Sequence, residues 1–276
     1  MLRLRIITAV VLLGVLLGAL ALGPAAFITV VALVFGAAVY EWLRLAQVGR
    51  AVAVGTGVAL AIVLASLDIG GARLDDRMMF GLAAAACLIW LAIGVWLMRV
   101  ESTGVLPLNS GLTVALGVVL LAAAWFALLA LLRVGTLFLF SVLAVVWIAD
   151  IAAYFAGRAF GRRKLAPRIS PGKTWAGVGG AALAVIAAAV VAWFAAADAE
   201  IFTTHLLMRL PWWSAAVLCL LVALSVAGDL FESLLKRQAG VKESSGLLPG
   251  HGGVLDRIDA LLPVLPAAVL VEALQQ

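Results

Sequence analysis

The stretch Leu112–Leu132, LTVALGVVLLAAAWFALLALL, decides the fold of this 276-residue chain. It carries no charge over its whole length. A helix that crosses a bilayer needs about 20 consecutive apolar residues, and this run supplies them. Moving outward in both directions, similar runs occur at Ile6–Leu22, Ala25–Leu43, Ala51–Leu67, Phe80–Met98, Val134–Ala156, Ala176–Ala197, Trp212–Ala227 and Ile258–Leu274. The chain is 66% hydrophobic and 12% charged, with a mean hydropathy of +1.22. Soluble domains have about 45–50% apolar and about 25% charged residues. We therefore expect an all-α, polytopic integral membrane protein with about nine transmembrane helices in a single membrane domain, residues 1–276.

Gly23-Pro24 marks a tight turn between the first two runs, and Pro107 and Gly111 punctuate the entry to the fifth. The last run contains Pro263 and Pro266, where a kink is expected, because neighbours must satisfy the carbonyls that proline frees. Arg3 and Arg5 before an apolar run imitate a signal peptide, but the run from Ile6 to Leu22 is too long for one, so it reads as a retained first helix. With the N-terminus in the cytoplasm and nine alternating spans, one side holds Arg3, Arg5, Arg44, Arg50, Arg99, Arg158, Arg162, Arg163, Lys164, Arg168, Lys173, Lys236, Arg237, Lys242 and Arg257. The other side holds Arg73, Arg77, Arg133 and Arg209. That asymmetry follows the positive-inside rule. It puts two polar loops, Gly157–Trp175 and Gly228–Arg257, on the cytoplasmic face of a multi-pass inner (plasma) membrane protein.

The net charge of +5 suits orientation and anionic lipid headgroups; no aromatic-basic module for nucleic acid is present. Cys87 and Cys219 each sit in an apolar run and indicate neither a disulfide framework nor a zinc site.

Chemistry gathers near the C-terminus. Asp229, Glu232, Ser233, Lys236 and Arg237 follow the eighth run. If the helix continues, Asp229, Ser233 and Lys236 share one face. They are either a solvated helix end with local pairing or part of a site for a metal-nucleotide complex. Leu248-Pro249-Gly250-His251-Gly252-Gly253 is glycine-rich; such backbone permits close approach, and its N–H groups can cradle an anion. His251 is a phosphate donor or a loop-fixing hydrogen bonder. Asp256-Arg257-Ile258-Asp259 places two acids three residues apart. They cap a helix or, with Asp229, hold a hard cation such as Mg²⁺. In the other loop, Ile169-Ser170-Pro171-Gly172-Lys173-Thr174-Trp175 suits phosphate at a helix N-terminus, although it is not a P-loop and no strand is expected before it. Asp150 and Tyr154 lie near the end of the sixth run, where an acid should face protein or water.

These pieces resemble the phosphatidate cytidylyltransferases, or CDP-diacylglycerol synthases. That family's signature is met in order by Ser233, Lys236, Arg237, Lys242, Pro249, His251, Gly252, Gly253, Asp256, Arg257 and Asp259. The segment DIAAYFAGRAFGRRKLAPRISPGKTWAG resembles the family's middle. Residues 1–132 resemble it mainly in hydrophobicity; residues 133–276 carry the expected site. Glu243 stands where the signature has Asp, and Ala176 where many members have Glu.

The resemblance implies the reaction CTP plus phosphatidic acid to CDP-diacylglycerol plus pyrophosphate. It also implies Asp229, Asp256, Lys236 and Lys173 as catalytic groups and Asp229, Asp256 and Asp259 as ligands of Mg²⁺, with room for a second cation such as K⁺. Ser170, Lys173, Thr174, Ser233, Lys236, Arg237, His251, Gly252, Gly253 and Arg257 would bind substrate. A homodimer is carried as a further expectation. The alternatives are a CTP-dependent polyprenol or lipid kinase, whose alcohol would need a base not evident here, and an ion-coupled transporter, which usually shows repeated halves. A CDP-alcohol phosphatidyltransferase lacks its Asp-Gly-x-x-Ala-Arg pattern here.

Overall fold

The computed structural model describes residues 2–69, 74–103, 108–196 and 198–275. Arg73, Pro107 and Ala197, used above to mark loops and a span end, lie outside the described residues, as do the side chains of Arg3 and Arg5. The chain runs through α1 (Leu2–Leu22), α2 (Pro24–Leu45), α3 (Arg50–Ile69), α4 (Asp76–Thr103), α5 (Ser110–Val134) and α6 (Thr136–Phe160). An antiparallel hairpin of β1 (Lys164–Ala166) and β2 (Ser170–Thr174) follows, then α7 (Trp175–Ala195), α8 (Phe202–Arg209), α9 (Ser214–Gln238), α10 (Leu255–Ile258) and α11 (Leu261–Ala273). Helices α2, α4, α5, α6, α7 and α9 contain stretches long and apolar enough to cross a membrane. Val10–Leu22 and Arg50–Ser66 are shorter apolar stretches in α1 and α3. The helical membrane class is as expected.

The expected ninth span is not one helix. It breaks at Asp259-Ala260 into α10 and the 13-residue α11. Pro263 supplies the reason: its ring displaces the carbonyl four residues back, which is that of Asp259. At 1.5 Å per residue, α11 is about 20 Å long, short of the roughly 30 Å hydrocarbon core. Two further elements were not expected. One is the hairpin β1–β2, which puts a strand directly before α7. The other is α8, whose Phe202, Thr203, Thr204 and Leu206 are buried.

The described chain forms two compact units. The first is Met1–Asp75, Pro107–Leu121 and Leu235–Ile258. Lipid tails give apolar helices little reason to associate, so close backbone contact must do it. Here α2 meets α3 at Gly36 and Gly57: a Cβ on Gly36 would lie 2.6 Å from the Gly57 carbonyl oxygen and 2.7 Å from Ala61 Cβ. The turn into α2 uses Gly23 at φ +108°, then Pro24, whose fixed φ and missing N–H suit the first helical turn. Trp42 packs against Gly117 of α5 and donates its indole N–H to the Thr113 carbonyl at 2.8 Å.

The second unit is Asp76–Leu106, Ala122–Leu234 and Asp259–Gln276. Helices α6 and α7 interlock at Gly180, where a Cβ would fall 2.2 Å from Ala156 Cβ. Phe202 of α8 packs edge-on against Phe138 of α6 at 6.0 Å, and its N–H donates to Ser141 Oγ at 2.8 Å. Trp90 of α4 packs edge-on against Phe231 of α9 at 5.8 Å. Leu183 and Phe194 stay outside, 72% and 82% exposed, on surface that suits lipid.

Within this unit α9 crosses the start of α11 at Gly228. A Cβ there would sit 2.4 Å from the Asp259 carbonyl oxygen and 3.0 Å from the Pro263 ring. Gly228→Ala is therefore expected to destabilise the protein by about 1–3 kcal/mol through overpacking. A thermal melt in detergent measures this; an unchanged Tm would show that the crossing is slack.

Candidate active site

In the first unit, the chain from Ala239 to Val254 folds around an acid of α2. Glu41 is fully buried. Its carboxylate accepts hydrogen bonds from Ser245 Oγ (2.5 Å), Val254 N–H (3.0 Å), Leu255 N–H (2.6 Å) and Ser244 Oγ (3.0 Å). A buried carboxylate without such donors would be prohibitively costly, so the pattern fixes this loop onto α2. Sequence reasoning missed Glu41, Ser244 and Ser245. The available signal was an acid inside the apolar run Ala25–Leu43, a position that needs a partner.

The same loop seats Asp256. Oδ1 meets Lys236 Nζ of α9 at 2.5 Å; Oδ2 accepts from Gly253 N–H (2.8 Å) and Ser244 N–H (3.0 Å), and lies 2.9 Å from Ser244 Oγ, whose single proton it shares with Glu41. Burial pushes the Asp256 carboxyl up, but Lys236 and the backbone donors outweigh it and hold the group at about 2. Gly253 thus donates its N–H to the protein's own carboxylate. Gly252 takes φ +80°, and a Cβ on it would lie 2.8 Å from Asp256 Oδ2. A Cβ on Gly253 would lie 2.6 Å from Glu41 Oε1. Arg257 forks onto the His251 carbonyl through Nη2 (2.6 Å) and Nε (3.2 Å), bracing the turn. His251 Nδ1 is buried with no hydrogen-bond partner among the described residues, which leaves a polar atom for a ligand. Glu243 is exposed.

In the second unit, β2 brings Lys173 to Asp229 of α9: Nζ and Oδ2 are 2.7 Å apart. Ser233, one turn further along α9, donates to Asp229 Oδ1 at 3.3 Å. The helix does continue past the apolar run, to Gln238, so Asp229, Ser233 and Lys236 occupy the expected helical positions. Ser170 opens β2 and is half-buried. Thr174 closes β2. Its Oγ1 accepts the Gly177 N–H at 3.1 Å as the N-cap of α7, and the residue is 5% exposed, so it fixes the hairpin–helix joint. Arg237 lies exposed near the end of α9.

Asp229, Asp256 and Asp259 are the acids expected to hold the metal; Asp256 belongs to the first unit, Asp229 and Asp259 to the second. Among the described residues no group of three or more His, Cys, Asp or Glu side chains is arranged to hold a metal ion. Asp256 has both oxygens engaged, and Asp259 is buried with Oδ1 on the Ala260 N–H at 2.7 Å. Asp229 also has both oxygens engaged, by Lys173 and Ser233, but its side chain is 36% exposed and open to a further ligand. Mg²⁺ commonly takes only one or two carboxylates, completing its shell with phosphate and water, and Asp229 fits that mode.

Fold and site together define a helical membrane protein that carries two lysine–aspartate pairs. The model of the cytidylyltransferase family matches residues 3–274, and the chain belongs to that family. It is 39% identical to the phosphatidate cytidylyltransferase of Pseudomonas aeruginosa, over 96% of this chain and 95% of that protein. Shorter stretches match the phosphatidate cytidylyltransferases of Haemophilus influenzae (47% identity, 48% of this chain, 44% of that protein) and Brucella suis (54%, 46% and 43%).

Proposed function

We propose that this protein makes CDP-diacylglycerol and pyrophosphate from CTP and phosphatidic acid, at the cytoplasmic face of the inner membrane. The reading is carried by the two lysine–aspartate pairs, Lys173–Asp229 and Lys236–Asp256, in a chain 39% identical to a protein named phosphatidate cytidylyltransferase. The excess of basic residues on one set of loops supports a cytoplasmic N-terminus and cytoplasmic polar loops. The lipid kinase and transporter readings are not favoured by those names.

A phosphate monoester loses its second proton near pH 6, so phosphatidate is largely dianionic at neutral pH and needs no strong base. One of its phosphate oxygens attacks the α-phosphorus of CTP; the bond to the β-phosphate oxygen breaks, and pyrophosphate leaves with that electron pair. The obstacle is repulsion between two polyanions. Lys236 in the first unit and Lys173 in the second can each exchange an aspartate partner for a phosphate oxygen and so neutralise charge within its own unit. The aspartates keep both lysines positioned until then. Ser170, Ser233, Arg237 and His251 Nδ1 orient phosphates, while Arg257 and the two glycines hold the His251 turn in shape. Mg²⁺, held by Asp229 with substrate phosphates, would supply further charge neutralisation at the reacting phosphorus.

Purified protein, labelled CTP and a lipid panel test this by mass spectrometry. The expected result is CDP-diacylglycerol and pyrophosphate in equal amounts with phosphatidate alone, abolished by EDTA and restored by Mg²⁺. A phosphorylated polyprenol with no cytidylyl lipid would overturn the reaction; full activity in EDTA would remove the metal.

A further inference from the structure

Within the first unit, α2 and α3 enclose a groove of about 490 Å³. Leu33, Val54, Val58 and Ile62 make its walls, and the close approach at Gly36 and Gly57 makes its floor. Tyr40 and Arg50 stand at one end, Thr29 and Ala65 towards the other. From Arg50 to Ala65 α3 rises about 22 Å, enough to cover the roughly 15 Å depth of one leaflet's hydrocarbon. Tyr40 also lines a polar hollow of about 500 Å³ with Arg44, Gln47, Ser244, Ser245 and Gly246. Apolar groove and polar hollow thus share a wall, and an exposed guanidinium lines each.

Both cavities border the loop that seats Asp256. Leu247 lines the groove, and Ser244, which donates to Asp256 through N–H and Oγ, lines the hollow. We propose that this groove is the acyl-chain subsite for phosphatidic acid, with the phosphate end towards Arg44 and Arg50 and one fatty-acyl tail along α2 and α3. The assignment rests on the cytidylyltransferase reading above and adds where the lipid lies. Charge complementarity selects the occupant. A second copy of this chain packed on the apolar walls would leave both guanidiniums without a counter-anion, whereas an anionic lipid satisfies both parts.

The test uses the full-length protein in nanodiscs. Phosphatidic acid with a photoactivatable group in its acyl chain is expected to label residues of α2 and α3, and unlabelled phosphatidic acid should compete. Adducts confined to other helices, or a covalent dimer joined through Val58 in place of a lipid adduct, overturn the proposal. Val58→Trp gives the kinetic counterpart, since Val58 is exposed on the groove wall. It should raise the apparent KM for a long-chain phosphatidate about tenfold, the effect of losing contact with one or two methylenes, and leave a dihexanoyl substrate unchanged. A variant whose chain-length preference matches the wild type overturns the assignment, and the labelling of wild-type protein decides the case if the variant fails to fold. Wild-type protein that makes no cytidylyl lipid from either substrate would instead defeat the functional reading.

Discussion

Asp256→Asn is expected to lose about a hundredfold to a thousandfold in turnover while the protein still inserts. The Lys236 and Asp256 side chains are only 12% and 9% exposed and meet at 2.5 Å. Removing one member of such a pair strands the other charge, at a cost of about 3–5 kcal/mol. Each 1.36 kcal/mol that falls on the barrier is a factor of ten in rate. The ammonium would also lose the partner that aims it. Steady-state rates on purified protein measure the effect, and a wild-type-like rate would remove Asp256 from the mechanism. The same pair predicts a pH dependence. The Asp256 carboxyl is lowered from 3.8 to about 2 in the folded protein. Its contribution to stability is therefore complete above pH 3.8 and is lost as pH falls through about 2. Asp256 titration adds nothing to an activity profile near neutrality, so a neutral acid limb that disappears in Asp256→Asn would contradict the assignment.

Glu41→Ala should have the second-largest effect, on the site's architecture. Four donors converge on this carboxylate, and two of them are backbone N–H groups that cannot turn away. An orphaned buried donor costs about 1–3 kcal/mol, so a total loss of about 3–5 kcal/mol is expected. The loss should be local. Hydrogen exchange should quicken across residues 239–256, while α6 and α7 keep their protection. Glu41→Gln keeps one carbonyl acceptor but turns an amide NH₂ towards donors, so it should fall between wild type and Ala. Unchanged protection of the loop in Glu41→Ala would mean that Glu41 does not hold it.

Much of this was legible beforehand. Runs such as Leu112–Leu132 lie within helices as expected, because no other local structure satisfies the backbone in hydrocarbon. The signature residues Lys236, His251, Gly252, Gly253 and Asp256 do share one unit, with Gly253 and Lys236 bonded directly to Asp256. The ninth run misled because hydropathy counts Pro263 as nearly neutral, whereas its ring ends the helix at Asp259. Thr174 had no unique reading, because a hydroxyl before a helix suits phosphate and N-cap equally; in the structure it caps α7. The β1–β2 hairpin was hidden in a loop too polar and too short to show alternation.

The amino-acid sequence by itself determined the helical membrane class and the ionic groups available to react. Both follow from short-range chemistry: apolar length, and side-chain type at fixed spacing. The tertiary structure alone decided which carboxylate holds which cation. It set Lys173 on Asp229, Lys236 on Asp256, and the loop's donors on Glu41, more than two hundred residues away. Electrostatic pairing depends on distance in space, and chain separation does not encode that distance until the helices have packed.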